Sequence, residues 1–333
     1  MIKREKKEVV YPPREAKRKA KVASVVLASL VGSFLVLFLV AYAIIGSFFF
    51  KFALDATFAA VANAPSDMIL EMPTPDTKPE WFENIPKTIR EITSDEGYSL
   101  KAYEILNNNN SHKWVITIHG YRGKSTEMSN YAYYFYNEGF NVLMPDLQGH
   151  GLSEGNYIGM GYRDRLDILK WIDLIIEQDP EAKIVLHGVS MGGATVMMTT
   201  GEKLPENVVC AIEDCGYSNV YEQFDYIVRH VLSLPFPKII MSASDLSVRA
   251  NLGVSLKDMD SISQLKKSTT PTLFIHGSED TFVPFYMLDE VYNANPNLER
   301  QKLVIEGASH ACSATVNPEL YFSTVFEFIA KHI

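Results

Sequence analysis

The residues best suited to chemistry are Gly188-Val189-Ser190-Met191-Gly192, followed by Gly193 and preceded by the apolar run Ile184-Val185-Leu186. A serine between two glycines, where a strand turns directly into a helix, sits on a strained bend that exposes its hydroxyl as a nucleophile. The pattern alone is only suggestive, and its context strengthens it. An apolar strand comes before it, and Ala194-Thr195-Val196-Met197-Met198 begins a helix after it. A serine hydroxyl is a poor nucleophile at neutral pH, so it needs a base within hydrogen-bond reach and a third group to fix that base's tautomer. The chain carries eight histidines from which the base could come.

From about residue 88 short β-rich runs alternate with helical patterns, as in a mostly parallel α/β sheet flanked by helices. Residues 88–93 and 98–106 read as an antiparallel opening pair around Asp95-Glu96-Gly97. Later strands are expected at 114–119, 140–146, 183–188, 208–214, 272–276 and 302–305. Helices are expected at 127–137, 162–178, 190–203, 284–293 and 318–330. Between about 216 and 270 the alternation stops, and 220–234, 238–250 and 261–267 have helical patterning. Such an insert can form a lid over the serine, with Tyr217, Tyr221, Phe224, Tyr226, Ile227, Leu232, Phe236, Ile240 and Met241 available either to line an acyl pocket or to pack the lid on the body.

The N-terminal organisation is equally distinct. Residues 22–50 run for 29 positions without a charge, and a bilayer core needs about 20 apolar helical residues. Before this run nine Lys/Arg face three Glu, a balance of +6 over residues 1–21; after it come only Lys51 and Asp55 nearby. This predicts a basic cytoplasmic tail at 1–21, a transmembrane signal anchor at 22–50, a stalk at 51–87, and a catalytic portion at 88–333 held outside the cytoplasm at the cell membrane. A cleaved signal peptide ending near Ala60-Val61-Ala62 is the competing reading, but cleavable apolar regions run about 7 to 15 residues.

Subtracting +6 from the whole chain's −9 leaves −15 for residues 22–333, which argues against nucleic acid as a partner. Cys210, Cys215 and Cys312 are an odd number, far from a disulfide framework. No His-Glu-x-x-His, Cys-x-x-Cys or phosphate-binding glycine loop occurs, so neither metal nor cofactor is expected.

Five segments in order carry a family resemblance: His119-Gly120-Tyr121-Arg122-Gly123, the run Pro145 to Ser153 containing Asp146 and His150, the turn at Ser190, the run Pro271 to Pro284 containing Glu279 and Asp280, and Gly307-Ala308-Ser309-His310. Across roughly 85–333 the chain resembles a serine hydrolase of the α/β-hydrolase superfamily, similar to membrane-anchored bacterial Bem46-like and serine-aminopeptidase-type hydrolases. In that fold the triad follows the order Ser, Asp or Glu, His. The resemblance implies Ser190 as nucleophile, Asp280 as acid with Glu279 its rival, and His310 as base, since His310 follows the acid in a loop after a strand. It implies Tyr121 and Met191 as backbone donors to the oxyanion, with His119, Asp146 and His150 ordering the loop below. The expected activity is carboxylester hydrolysis of a small-molecule or lipid-like substrate. Peptidase, thioesterase or acyltransferase activity would use the same groups, and a non-catalytic surface scaffold is the reading of another class.

Overall fold

The computed structural model of the chain describes residues 13–57 and 77–333. The first twelve residues of the basic tail, the Ala60-Val61-Ala62 site and most of the expected stalk lie outside the described residues. A single helix, α1 (Arg14–Ala53), contains the whole charge-free run, and a short helix, α2 (Pro79–Asn84), precedes the sheet.

Eight strands form one sheet: β1 (Thr88–Thr93), β2 (Ser99–Ile105), β3 (Lys113–Ile118), β4 (Asn141–Pro145), β5 (Lys183–Val189), β6 (Val208–Asp214), β7 (Thr272–Gly277) and β8 (Gln301–Ile305). Their order is β1-β2-β4-β3-β5-β6-β7-β8. β1 and β2 pair antiparallel, as do β2 and β4, and every later pairing is parallel. The parallel strands β4 and β7 are buried along their whole length, which is why they read as continuous apolar runs and not as alternating ones.

Around the sheet lie α3 (Ser129–Asn137), α4 (Asp164–Gln178), α5 (Met191–Thr200), the insert helices α6 (Val220–Tyr226), α7 (Pro237–Leu252) and α8 (Ser261–Leu265), then α9 (Tyr286–Ala294), α10 (Ser313–Val316) and α11 (Pro318–Ile329). One apolar layer packs α3 and α11 on the sheet through Tyr131, Phe135, Tyr321 and Phe328. The other packs α4, α5 and α9 through Trp171, Met197 and Val291. The helix expected at 220–234 stops early: α6 winds into a π-helical turn at Ile227–Val231, and Pro235 and Pro237 then deny helix to the residues before them.

The segment expected to be a stalk begins inside the catalytic portion. Leu54 is fully buried, and Ala53 and Ala56 join the same core. Backbone bonds from Ile158 N to Leu54 O (2.8 Å) and from Ala56 N to Asn156 O (3.1 Å) stitch this stretch to the loop after β4. What decides the fate of residues 53–56 is a pocket for Leu54, which no local pattern announces.

Candidate active site

β5 delivers Ser190 to the centre of the sheet's C-terminal edge, where loops after parallel strands converge. The serine adopts φ 58° and ψ −120°, a conformation that L-residues avoid, between the strand and the first turn of α5. Glycine at 188 and 192 makes this bend possible: a Cβ on Gly188 would overlap the carbonyl of Gly192, and one on Gly192 would overlap the carbonyl of Ile118.

The loop after β7 brings Asp280, and the loop after β8 brings His310, to the same place. His310 Nε2 is 2.8 Å from Ser190 Oγ, and His310 Nδ1 is 2.7 Å from Asp280 Oδ2. With the ring proton on Nδ1, facing the carboxylate, the Nε2 lone pair accepts from the serine hydroxyl. All three side chains are buried. The Asp280 carboxylate is further satisfied by the amides of Phe282 and Val283, each 2.9 Å from Oδ1, and His276 Nε2 lies 3.2 Å from Oδ2. Burial by itself would raise the Asp280 pKa. The opposing charge of His310 and the hydrogen bonds from His276 and His310 outweigh it and hold the acid at about 2, ionised throughout the neutral range. Glu279, the rival acid, is exposed to solvent.

His276 is a site residue that the chain-order argument passed over. It precedes the acid in sequence, where the chain order places no base, yet its fully buried ring supports Asp280 from behind while also meeting Val283 O at 3.0 Å. Asp214, at the end of β6, is another: its carbonyl accepts from Ser190 N at 2.8 Å, and its carboxylate accepts from Ser313 Oγ at 3.1 Å.

The loop carrying Tyr121 closes over the serine, so that a Cβ on Gly120 would lie 3.8 Å from Ser190 Oγ. Met191 is the first residue of α5, and its amide belongs to the turn that a helix cannot pair internally. Beneath this loop His119 Nε2 accepts from Leu147 N at 3.0 Å, and His150 Nε2 accepts from Arg122 N at 3.2 Å. Both rings are thereby neutral. Burial lowers the pKa of His119 to about 4; burial first, and then the neighbouring His119, lower that of His150 to about 3. Asp146 Oδ1 accepts from Ser125 N (2.6 Å) and its Oδ2 from Leu152 N (2.8 Å), so these three residues do hold the loop in shape.

A pH prediction arises from the histidines. A base whose folded pKa is depressed adds stability that is complete above its unfolded value near 6.5 and is lost as pH falls through that value toward 4 or 3. His150→Gln keeps an acceptor for Arg122 N but cannot titrate. Thermal melts from pH 7 to pH 4.5 should therefore fall less steeply for the variant than for the parent. Parallel curves would show that folding does not depress the pKa of His150.

The cleft at Ser190 holds about 70 Å³ and is walled by Gly120, Glu127, Met128, Tyr131, Val189 and His310. None of the insert's aromatic residues reaches it. Phe224 packs edge-on against Phe49 of α1 at 5.0 Å, Met241 is buried in the core, and Phe236 is 73 % exposed. Phe224 is used against α1, and the acyl-pocket expectation for the insert residues is corrected because none of them lines the cleft at Ser190. A larger cavity of about 250 Å³ lies apart, beside the ion pair of Glu96 and Arg163, and no histidine lines it to activate Ser94 in its wall. Among the described residues one group has metal-ligand geometry, Cys215, Asp280 and His310, with ligand atoms within 4.8 Å of one another. Two of its members already bond each other, and burial raises the pKa of the Cys215 thiol well above its ordinary value. Cys210, Cys215 and Cys312 are all free and buried.

The serine aminopeptidase (S33) family matches residues 109–246, which include the loop carrying Tyr121, the serine turn and much of the insert. The esterase Pf2001 of Pyrococcus furiosus superposes with a TM-score of 0.63 at 23 % identity, over 79 % of this chain and 98 % of its own. The chain has the α/β-hydrolase fold. It is also similar to protein YqkD of Bacillus subtilis, 27 % identical over 252 residues, spanning 75 % of this chain and 81 % of the relative. It is 23 % identical over 235 residues to the thermostable monoacylglycerol lipase of Bacillus sp. H-257, spanning 66 % and 90 %.

Proposed function

We propose that the hydrolase cleaves carboxylic esters through an acyl-enzyme on Ser190. The observation that carries this reading is the continuous hydrogen-bond chain Ser190–His310–Asp280, at 2.8 and 2.7 Å. His310 takes the serine proton as Ser190 attacks the carbonyl and returns it to the leaving alcohol; Asp280 holds the imidazole and stabilises the imidazolium. The amides of Tyr121 and Met191 receive the oxyanion, each such donor being worth about 2.7–4 kcal/mol in the transition state. Water then repeats the sequence to release the acid. An esterase and a monoacylglycerol lipase among the relatives favour an ester over a peptide as substrate.

In the same reading α1 anchors the protein. It is 40 residues long, with a mean hydropathy of 2.6 in an 18-residue window that has no buried residue. The basic tail stays in the cytoplasm and the catalytic portion outside. Protease added to intact cells should release the catalytic portion and leave a small basic membrane fragment.

The decisive test is a fluorophosphonate probe with a series of p-nitrophenyl esters of increasing chain length, using the full chain in detergent. Labelling and ester turnover are expected, and Asp280→Asn should lower kcat by about 10⁴-fold because the imidazole loses its orienting acceptor. An unlabelled protein without turnover would favour a scaffold.

A further inference from the structure

Resting on α1 as the anchor, we infer that a second element, the insert tip at residues 231–240, enters the outer leaflet of the same bilayer beside it. α1 and α7 run side by side. Tyr42 Oη and Ser242 Oγ are 2.7 Å apart, and a Cβ on Gly46 would overlap the carbonyl of Ala243 and come within 3.1 Å of Ser247 Cβ. Helical side chains lean toward their own N-terminus, so Tyr42 reaches Ser242 only if lower numbers of α7 lie beside lower numbers of α1. Pro237, five residues before Ser242, then lies about 7.5 Å further along α1 toward the apolar span.

At that level both elements present greasy surface. Phe34, Leu37 and Phe38 of α1 are 72 %, 68 % and 43 % exposed, and Leu232, Leu234, Phe236 and Ile239 of the tip are 36 %, 41 %, 73 % and 38 % exposed. Phe236 is held in the left-handed region at φ 56°, which turns a bulky ring outward at the start of α7. Residues 226–244 contain no Asp or Glu and two cations, Arg229 and Lys238, in a protein whose residues 22–333 sum to −15. An apolar tip with a lysine that can snorkel suits the boundary between headgroups and acyl chains. The bilayer is the occupant because the tip lies where α1 itself enters lipid.

The insert also touches the active site. Gln223 Nε2 of α6 donates to Phe282 O at 2.7 Å, and the Phe282 ring packs on His310 at 4.9 Å. Seating the tip in lipid therefore fixes the height and orientation of the active site above the membrane, and the substrate class is an amphiphilic ester drawn from the bilayer.

Reporter tryptophans on the full chain, reconstituted in phosphatidylcholine vesicles with or without bromine near the headgroup end of the acyl chains, test this directly. Leu35→Trp reports on the anchor, Phe236→Trp on the tip, and Leu298→Trp, at a site 93 % exposed, on water. The added emission should be quenched at 35 and 236 and unchanged at 298. Quenching at 35 with 236 behaving like 298 overturns the inference and leaves the anchor standing. No quenching at 35 overturns the anchor and this inference with it. Blue-shifted but unquenched emission at 236 means a second copy or another protein covers the tip, and overturns it as well. In a parallel assay, Leu234→Glu with Phe236→Glu should lower hydrolysis of a vesicle-embedded ester about tenfold and leave a water-soluble short ester unchanged. Equal loss on both substrates would mean that the substitutions damage the fold and not membrane seating, and would count against the inference.

Discussion

Replacing Ser190 by alanine is expected to abolish fluorophosphonate labelling and lower ester turnover by about 10⁶-fold, the loss typical of removing the nucleophile from an intact triad. The change removes one oxygen from a turn whose backbone is fixed by other means. Ser190 N bonds Asp214 O at 2.8 Å, Ala194 N bonds Ser190 O at 3.0 Å, and the two flanking glycines occupy space that no side chain could share. The variant should therefore melt within a few degrees of the parent, which distinguishes lost chemistry from lost structure. His310 would keep Asp280 on one side and gain an empty site on the other, so the triad's remaining pair stays assembled. Turnover of the variant within tenfold of the parent would remove Ser190 from the mechanism.

Much of this site could be read from the sequence because each part rests on a local constraint. The serine turn needs small residues at 188 and 192, and the acid and base each follow an apolar strand directly. Buried parallel strands announce themselves as unbroken apolar runs. What escaped the reading depends on partners far apart in the chain. His276 looks like the last residue of a strand until the fold sets Asp280 against it. Glu127, Met128 and Tyr131 look like the start of a helix until the 3-10 turn at Ser125–Met128 and the first turn of α3 bring them to the cleft at Ser190. The insert's aromatics could equally line a pocket or meet another helix, and only α1's position decides for the second. Residues 53–57 look like the beginning of a linker for the same reason: Leu54 has a core position only because the loop at 156–158 comes to meet it.

That docking leads to the second large effect, expected on removing the N-terminal segment. The last turn of α1 leaves carbonyls unpaired within the helix, and the loop carrying Tyr121 uses two of them. Tyr121 Oη donates to Ala53 O at 2.7 Å, and the Arg122 guanidinium donates to Phe52 O while lying 5.3 Å from the Phe52 ring centroid. The residue whose amide is proposed to meet the oxyanion is thus tied to the end of the anchor. Leu54 adds packing: emptying a fully buried leucine site costs about 2.7–5.0 kcal/mol, against a total stability of about 5–15 kcal/mol for a typical domain. A fragment beginning at Pro79 should melt well below the full chain and lose about 10²-fold in kcat/KM, the equivalent of one misplaced oxyanion donor. A fragment beginning at Gly46 lacks any membrane span but keeps Phe49, Phe52 and Leu54, and should recover most of both losses on a water-soluble ester. Tyr121→Phe in the full chain isolates the loop contact: kcat should fall while KM for a short ester stays near the parent's, since the variant keeps the ring in the cleft wall and loses only the hydroxyl bonded to Ala53 O. If the Pro79 fragment matches the full chain in melting and turnover, the end of α1 is only a tether and the oxyanion loop holds its shape alone.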